Sequence, residues 1–115
     1  LYQTVRINSL LRKAQEAGLA VGSNPVIHDA DRPLALLLTE MPDAFAAALA
    51  HYMPHHLCDY AYRLAQAFSS FYASCHILSE ENADLRASRL FLCHLTHRTL
   101  ESVLGLLGIS VPEKM

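Results

Sequence analysis

The sequence predicts an all-α protein, a helical bundle of about five helices, and three observations predict it. Apolar residues recur at helical spacing in every long segment. No segment shows the strict apolar–polar alternation of a half-buried strand. Pro and Gly stand at the borders of the periodic stretches, where helices start and stop. The 115 residues are enough for one domain with a single core, and a composition that is 52% hydrophobic and 17% charged is that of a folded chain.

From Val5 to Ala17 the residues Ile7, Leu10, Leu11 and Ala14 keep the helical period, and Gly18 stands where a left-handed residue ends a helix. Tyr2, Arg6, Ser9 and Lys13 form a second stripe on this first helix, roughly 110° from the apolar one. Residues 18 to 32 hold Gly22, Ser23, Asn24, Pro25, His28 and Asp29, a mixture that favours turns, so a surface loop is expected. Pro33 and Pro42 each suit a first helical position, which predicts two short helices, over Arg32 to Glu40 and Pro42 to Tyr52. Pro54 opens the central helix, where Leu57, Ala61, Leu64, Ala65, Phe68, Phe71 and Cys75 keep the period. Its only charged side chains, Asp59 and Arg63, are four apart with the acid first, the favourable order for a surface pair. After the polar link Ser79 to Asp84, a last helix carries the stripe Leu85, Ser88, Leu92, Leu95, Thr99, Val103 and Leu106. His94, His97, Arg98 and Glu101 take its other side, and Gly108 is expected to end it.

The same residues narrow the function. The longest apolar stretches, such as Leu34 to Leu38 and Leu104 to Leu107, fall far short of the roughly 20 residues that span a bilayer. Residues 1 to 13 lack the apolar block of a secretory signal, and the chain does not begin with methionine, so it reads as a piece excised from a longer chain. Cys58, Cys75 and Cys93 are an odd number without zinc-ligand spacing, which fits a reducing, cytoplasmic setting better than a disulfide framework. A formal charge of -2 means that any RNA contact must come from a local patch. There is no glycine-rich phosphate loop and no strand to mount one.

Three stretches, taken in order, carry a resemblance to a known family. YQTVRINSLLRKA (residues 2–14) resembles the first helix of the anticodon-binding domain of arginyl-tRNA synthetases, often called the DALR domain. LAQAFSSFYASCHIL (residues 64–78) is similar to that family's central helix. SRLFLCHLTHRTLESVLGLLGISVPEKM (residues 88–115) resembles its close, a leucine-rich helix, Leu-Gly-Ile and a Pro-Glu-Arg/Lys-Met terminus. The Pro-Glu-Lys-Met ending fits less well with the related domain of bacterial glycyl-tRNA synthetase beta subunits.

The resemblance implies that residues 1–115 are an anticodon-binding domain whose partners are the anticodon loop of arginine tRNA and a catalytic domain of the same chain, with no membrane or DNA involved. It also implies that the whole enzyme ligates arginine to its tRNA. ATP and Mg2+ are expected in the catalytic part, and no cofactor and no catalytic residue in this domain. By position, Tyr2, Arg6, Tyr72, His76 and Met115 are the residues it carries over, while Arg12, Lys13 and Lys114 could hold phosphates. The physics is that of single-stranded RNA: a splayed base offers its face to an aromatic ring or guanidinium, and its phosphate meets Arg or Lys. His76 departs from members with a larger aromatic, and Lys114 stands where Arg is common, a point charge in place of a bidentate fork.

Each of these signals has a plainer reading. Tyr2 could be a half-exposed terminal tyrosine, Arg6 and Lys13 solvated charges, and Tyr72 a core-edge tyrosine. His94, His97 and Glu101 share a helical face, but no run has a recognised zinc spacing and no metal is expected. Cys93 and His97 lie one turn apart, with nothing to orient the base or supply an oxyanion site. Two further readings compete at the level of the whole chain. One is a helical protein-interaction module that takes another helix in an apolar groove; the other is a free-standing paralogue of the anticodon domain without tRNA binding.

Overall fold

The structure is a computed structural model that describes residues 2–19, 21–22, 30–43, 46 and 55–107. Four α-helices are described, α1 (Tyr2–Glu16), α2 (Arg32–Leu38), α3 (His55–Ser74) and α4 (Ala83–Leu106), with a 3-10 turn (Ile77–Ser79) between the last two. There is no strand among the described residues.

α1 begins at Tyr2 and buries Val5, Ile7, Leu10 and Ala14. It stops where Gly18 takes φ +72, a left-handed value that an L side chain adopts only with strain. The Leu19 amide then donates to the Ala14 carbonyl (2.9 Å) and the Gly18 amide to the Gln15 carbonyl (3.1 Å), which satisfies carbonyls the helix leaves open. Four residues on, the Gly22 amide donates to the Ala87 carbonyl of α4 at 2.9 Å. A Cβ at Gly22 would sit 3.1 Å from that oxygen, a tight contact that would make the Ala87 backbone give by a few tenths of an ångström. The rest of the loop expected at residues 18–32 lies largely outside the described residues.

α2 opens with Pro33 in its first turn, as its fixed φ favours. Asp31, its N-cap residue, makes no side-chain cap bond; its carboxylate is fully buried and pairs with Arg89 Nε of α4 at 3.2 Å. The helix ends at Leu38 instead of Glu40, because the Thr39 and Glu40 amides fold back onto the carbonyls of Leu36 and Leu37. Of the second short helix, residues 41–43 and 46 are helical, and the remainder lies outside the described residues.

α3 buries the whole stripe that its sequence predicts, Leu57, Ala61, Leu64, Ala65, Phe68 and Phe71, with Cys75 just beyond its end. Tyr60 is buried as well, and its hydroxyl donates to the Leu37 carbonyl at 2.9 Å, pinning α2 to α3. Arg63 pairs with Asp59 as predicted, Nε to Oδ2 at 3.1 Å, and reaches Glu40 at 3.4 Å. Exposed pairs of this kind contribute little, about 0–1 kcal/mol.

α4 departs from the reading of its stripe. Ser88, Leu92, Thr99 and Val103 are buried, but Leu95 is 37% and Leu106 63% exposed. Leu90, Cys93, Thr96, Leu100 and Leu104, which that stripe omits, are buried. The predicted stripe is one edge of a wider face, because α1, α2, α3 and the 3-10 turn all pack on this helix. Thr96 and Thr99 are accommodated there by donating to the Leu92 and Leu95 carbonyls. Asn82 caps the helix through Oδ1, which accepts from the amides of Asp84 and Leu85. Gly108, expected to end α4, lies outside the described residues.

Candidate nucleic-acid interface

α1 runs alongside α3 in a parallel register. Gln3 Nε2 donates to Ser69 Oγ at 3.2 Å across 66 positions of sequence. One turn further along both helices, the Arg6 guanidinium lies over the Tyr72 ring, with Cζ 4.6 Å from its centroid. That is well inside the roughly 6 Å within which a cation is attracted to the ring face. A turn beyond that, Leu10 of α1 meets the segment that follows α3. Tyr72 is held from beneath by the fully buried Phe68, ring centroids 6.0 Å apart and tilted by 42°, while its own side keeps 36% exposure.

The segment after α3 corrects one expectation. Read as a continuous helix, the sequence puts Tyr72 and His76 one turn apart on a single face. The helix stops at Ser74, and His76 takes φ -84 and ψ 80 at the head of the 3-10 turn, off the helical path. Its carbonyl accepts from the Ser79 amide (3.2 Å) and the Ser79 hydroxyl (3.1 Å), which closes the turn and leaves the imidazole exposed. The two residues still meet. Leu10, Tyr72, Cys75, His76, Ile77, Leu78 and Ser79 line one cleft of about 230 Å³.

The other candidates fall unevenly. Lys13 is exposed and lies on the Arg6 side of α1 by helical repeat. Arg12, also exposed, is about 100° round the helix from Lys13, so it does not share that stripe. The side chain of Tyr2, Lys114 and Met115 lie outside the described residues. The competing pairs are now more sharply placed. Cys93 is fully buried, and burial pushes its thiol far above the usual range, so beside His97 it is no thiolate nucleophile. Among the described residues no group of three or more His, Cys, Asp or Glu side chains converges to hold a metal ion, and no helix is long and apolar enough to cross a membrane.

Sequence reasoning raised an apolar groove as a competing reading but named no residues for it. A groove of about 460 Å³ runs between α3, the end of α4 and the start of α1, lined by Gln3, Cys58, Ala61, Tyr62, Ala65, Gln66, Ser69, Leu104 and Leu107. Its rim carries Tyr62 at 65% exposure, whose hydroxyl accepts from Gln66 Nε2 at 2.8 Å. Tyr62, off the central stripe of α3, was the signal available in the sequence.

Comparison with known proteins bears on this geometry. Residues 1–115 match the family described as the DALR anticodon binding domain. An arginine–tRNA ligase of Hyphomonas neptunium is 48% identical over 115 residues, which cover 100% of this chain and 20% of the relative. Another, of Frankia casuarinae, is 47% identical over 118 residues, covering 99% of this chain and 19% of the relative. Among solved structures, arginyl-tRNA synthetase of Thermus thermophilus superimposes with a TM-score of 0.85 at 31% identity, over 99% of this chain and 20% of that one. The chain thus spans about one fifth of the length of the relatives it matches. A family match along the whole chain, agreeing in sequence and in fold, establishes that it belongs to the DALR anticodon binding domain family.

Proposed function

We propose that residues 1–115 bind the anticodon loop of an arginine tRNA as the anticodon-binding domain of an arginine–tRNA ligase. The observation that carries this reading is one small cleft lined by Tyr72 of α3, His76 of the turn and Leu10 of α1, with Arg6 stacked on the Tyr72 ring, in a chain of this family. An unstacked base loses its neighbours in the loop and regains contact on an aromatic or guanidinium face, worth on the order of 1–3 kcal/mol per base. Lys13 and Lys114 add positive charge for phosphates, and Tyr2 and Met115 complete the set that the family resemblance supplies. Arginine activation with ATP and Mg2+ belongs to a catalytic part of the same chain, working in the cytoplasm. DNA is not a partner in this reading.

With a formal charge of -2 the chain has no general attraction for phosphate. Affinity then rests on a few local contacts, and it falls with salt by about 0.7 logarithmic units per phosphate held, for each tenfold rise in salt. The test is a titration with the anticodon stem-loop of arginine tRNA, beside the same hairpin with its central anticodon base changed. A preference of about tenfold for the matched hairpin, or 1.4 kcal/mol, supports anticodon reading. Equal binding of the two leaves only phosphate attraction and rejects it.

A second reading has its own observation. The apolar groove between α3 and α4 is larger than the cleft, and no charged side chain stands among its described lining residues. That favours protein contact at the groove. A chain that ignores the hairpin while binding an apolar helix there would be an interaction module.

A further inference from the structure

Arg6 touches Tyr72 but does not line the cleft that Tyr72 walls. Leu10, His76 and the 3-10 turn line the cleft together with Tyr72, whereas the guanidinium stacks over the Tyr72 ring and takes no part in that lining. Its 230 Å³ lie below the roughly 300–1,000 Å³ of pockets for drug-sized ligands and far above the ~30 Å³ share of one water. A single nucleobase is the ligand that this size and an aromatic wall fit. We infer that Arg6 is a positioning residue and not an RNA contact: stacked on Tyr72 from outside the cleft, it holds that ring as one wall of a site for one unstacked base.

The physical case has three parts. A tyrosine that is 36% exposed near the end of a helix has rotamer freedom to lose when a base binds, and a ring ordered beforehand loses less on binding. Phe68 supports the ring from the core, the guanidinium lies over its face, and the Gln3–Ser69 bond one turn earlier keeps the two helices in register. A cation over one face also withdraws negative potential from the ring, which makes it a better partner for the electron-rich face of a base. The inference rests on the reading of this surface as an RNA site.

The test uses the intact protein that carries residues 1–115 and a set of arginine anticodon hairpins, each with a single abasic nucleotide in the loop, titrated at several salt concentrations. For Arg6→Ala the expected result is a loss of about tenfold with the complete hairpin. That loss should vanish with the one hairpin that lacks the base filling the cleft, and the salt slope should stay that of the parent protein. Tyr72→Leu should cost about as much, and adding Arg6→Ala to it should cost nothing more, since residues acting as one unit are not additive. Arg6→Lys, which keeps a cation over the ring, should hold within about threefold and shows that the site folds. A uniform loss with every hairpin, together with a salt slope lowered by about 0.7, would make Arg6 a phosphate contact and overturn the inference. No loss at all overturns it equally. If the parent protein binds every abasic hairpin as well as the complete one, no base site exists, and the RNA reading itself falls, whatever Arg6 does.

Discussion

The cleft beside Tyr72 and the groove between α3 and α4 both draw residues from α1 and α3, and they differ in what else surrounds them. The groove is about 460 Å³ and the cleft about 230 Å³, so a ranking by size alone would choose the groove. Chemistry reverses the order for a nucleic acid. The cleft has an exposed aromatic wall with a guanidinium stacked behind it, an imidazole, and a turn whose Ser79 hydroxyl can hydrogen-bond. The groove offers aliphatic carbon, two glutamine amides, a serine, a cysteine and a tyrosine, with no charged group among them, which suits another protein surface. The difference teaches that recognition of a base follows π-faces and nearby charge, whereas volume follows the gaps left where helices diverge.

The sharpest way to break that contrast is from below. Phe68 is fully buried and carries the Tyr72 ring, so Phe68→Ala should cost about 3–5 kcal/mol in urea unfolding and take hairpin binding with it. A smaller effect belongs to the far end of α3. Burial, then Glu40, push the Tyr60 hydroxyl up to about 12, only partly opposed by Arg63. The folded chain therefore keeps that proton where the unfolded chain has begun to lose it. Stability is whole below pH 10 and falls as the pH rises from 10 towards 12, by on the order of 2–3 kcal/mol. Tyr60→Phe should remove this alkaline decline and, having lost the bond to Leu37, should sit about 1 kcal/mol lower near neutral pH. Alkaline melts of the two proteins check both signs.

At the cleft itself, Tyr72→Ala should weaken the complete anticodon hairpin by about 1–3 kcal/mol while thermal unfolding moves little. An unchanged Kd in a folded variant would remove Tyr72 from the site. The smallest effect is expected at the groove. Tyr62→Ser alters an exposed side chain and should change both stability and hairpin affinity by no more than about 0.5 kcal/mol. A large loss of hairpin binding there would place RNA in the groove.

How much of this was legible beforehand depends on how many sides of a helix are covered. α3 keeps a polar face, so its apolar period marked Leu57 through Cys75 correctly. α4 is packed by three helices and a turn, so no single stripe describes it, and the reading stopped at Leu92 and Val103 without reaching Leu90, Leu100 and Leu104. The break after Ser74 was hidden because neither Gly nor Pro marks it, and the buried Cys75 and Ile77 beyond it continue an apolar run in the sequence. For the site, the resemblance named Arg6 and Tyr72, but their stacking across so long a stretch of chain is a product of the fold. Arg12, named as a possible phosphate contact, is exposed about 100° round the helix from Lys13.

The most direct measurement is an amide chemical-shift map of the isotope-labelled chain, titrated with the arginine anticodon hairpin. Binding at the cleft predicts the largest shifts at Arg6 to Leu10, Tyr72 and Cys75 to Ser79, with Cys58, Tyr62, Gln66 and Leu104 nearly still. Shifts concentrated on Cys58 to Gln66 and Leu104 to Leu107, with the turn after α3 unmoved, would contradict it.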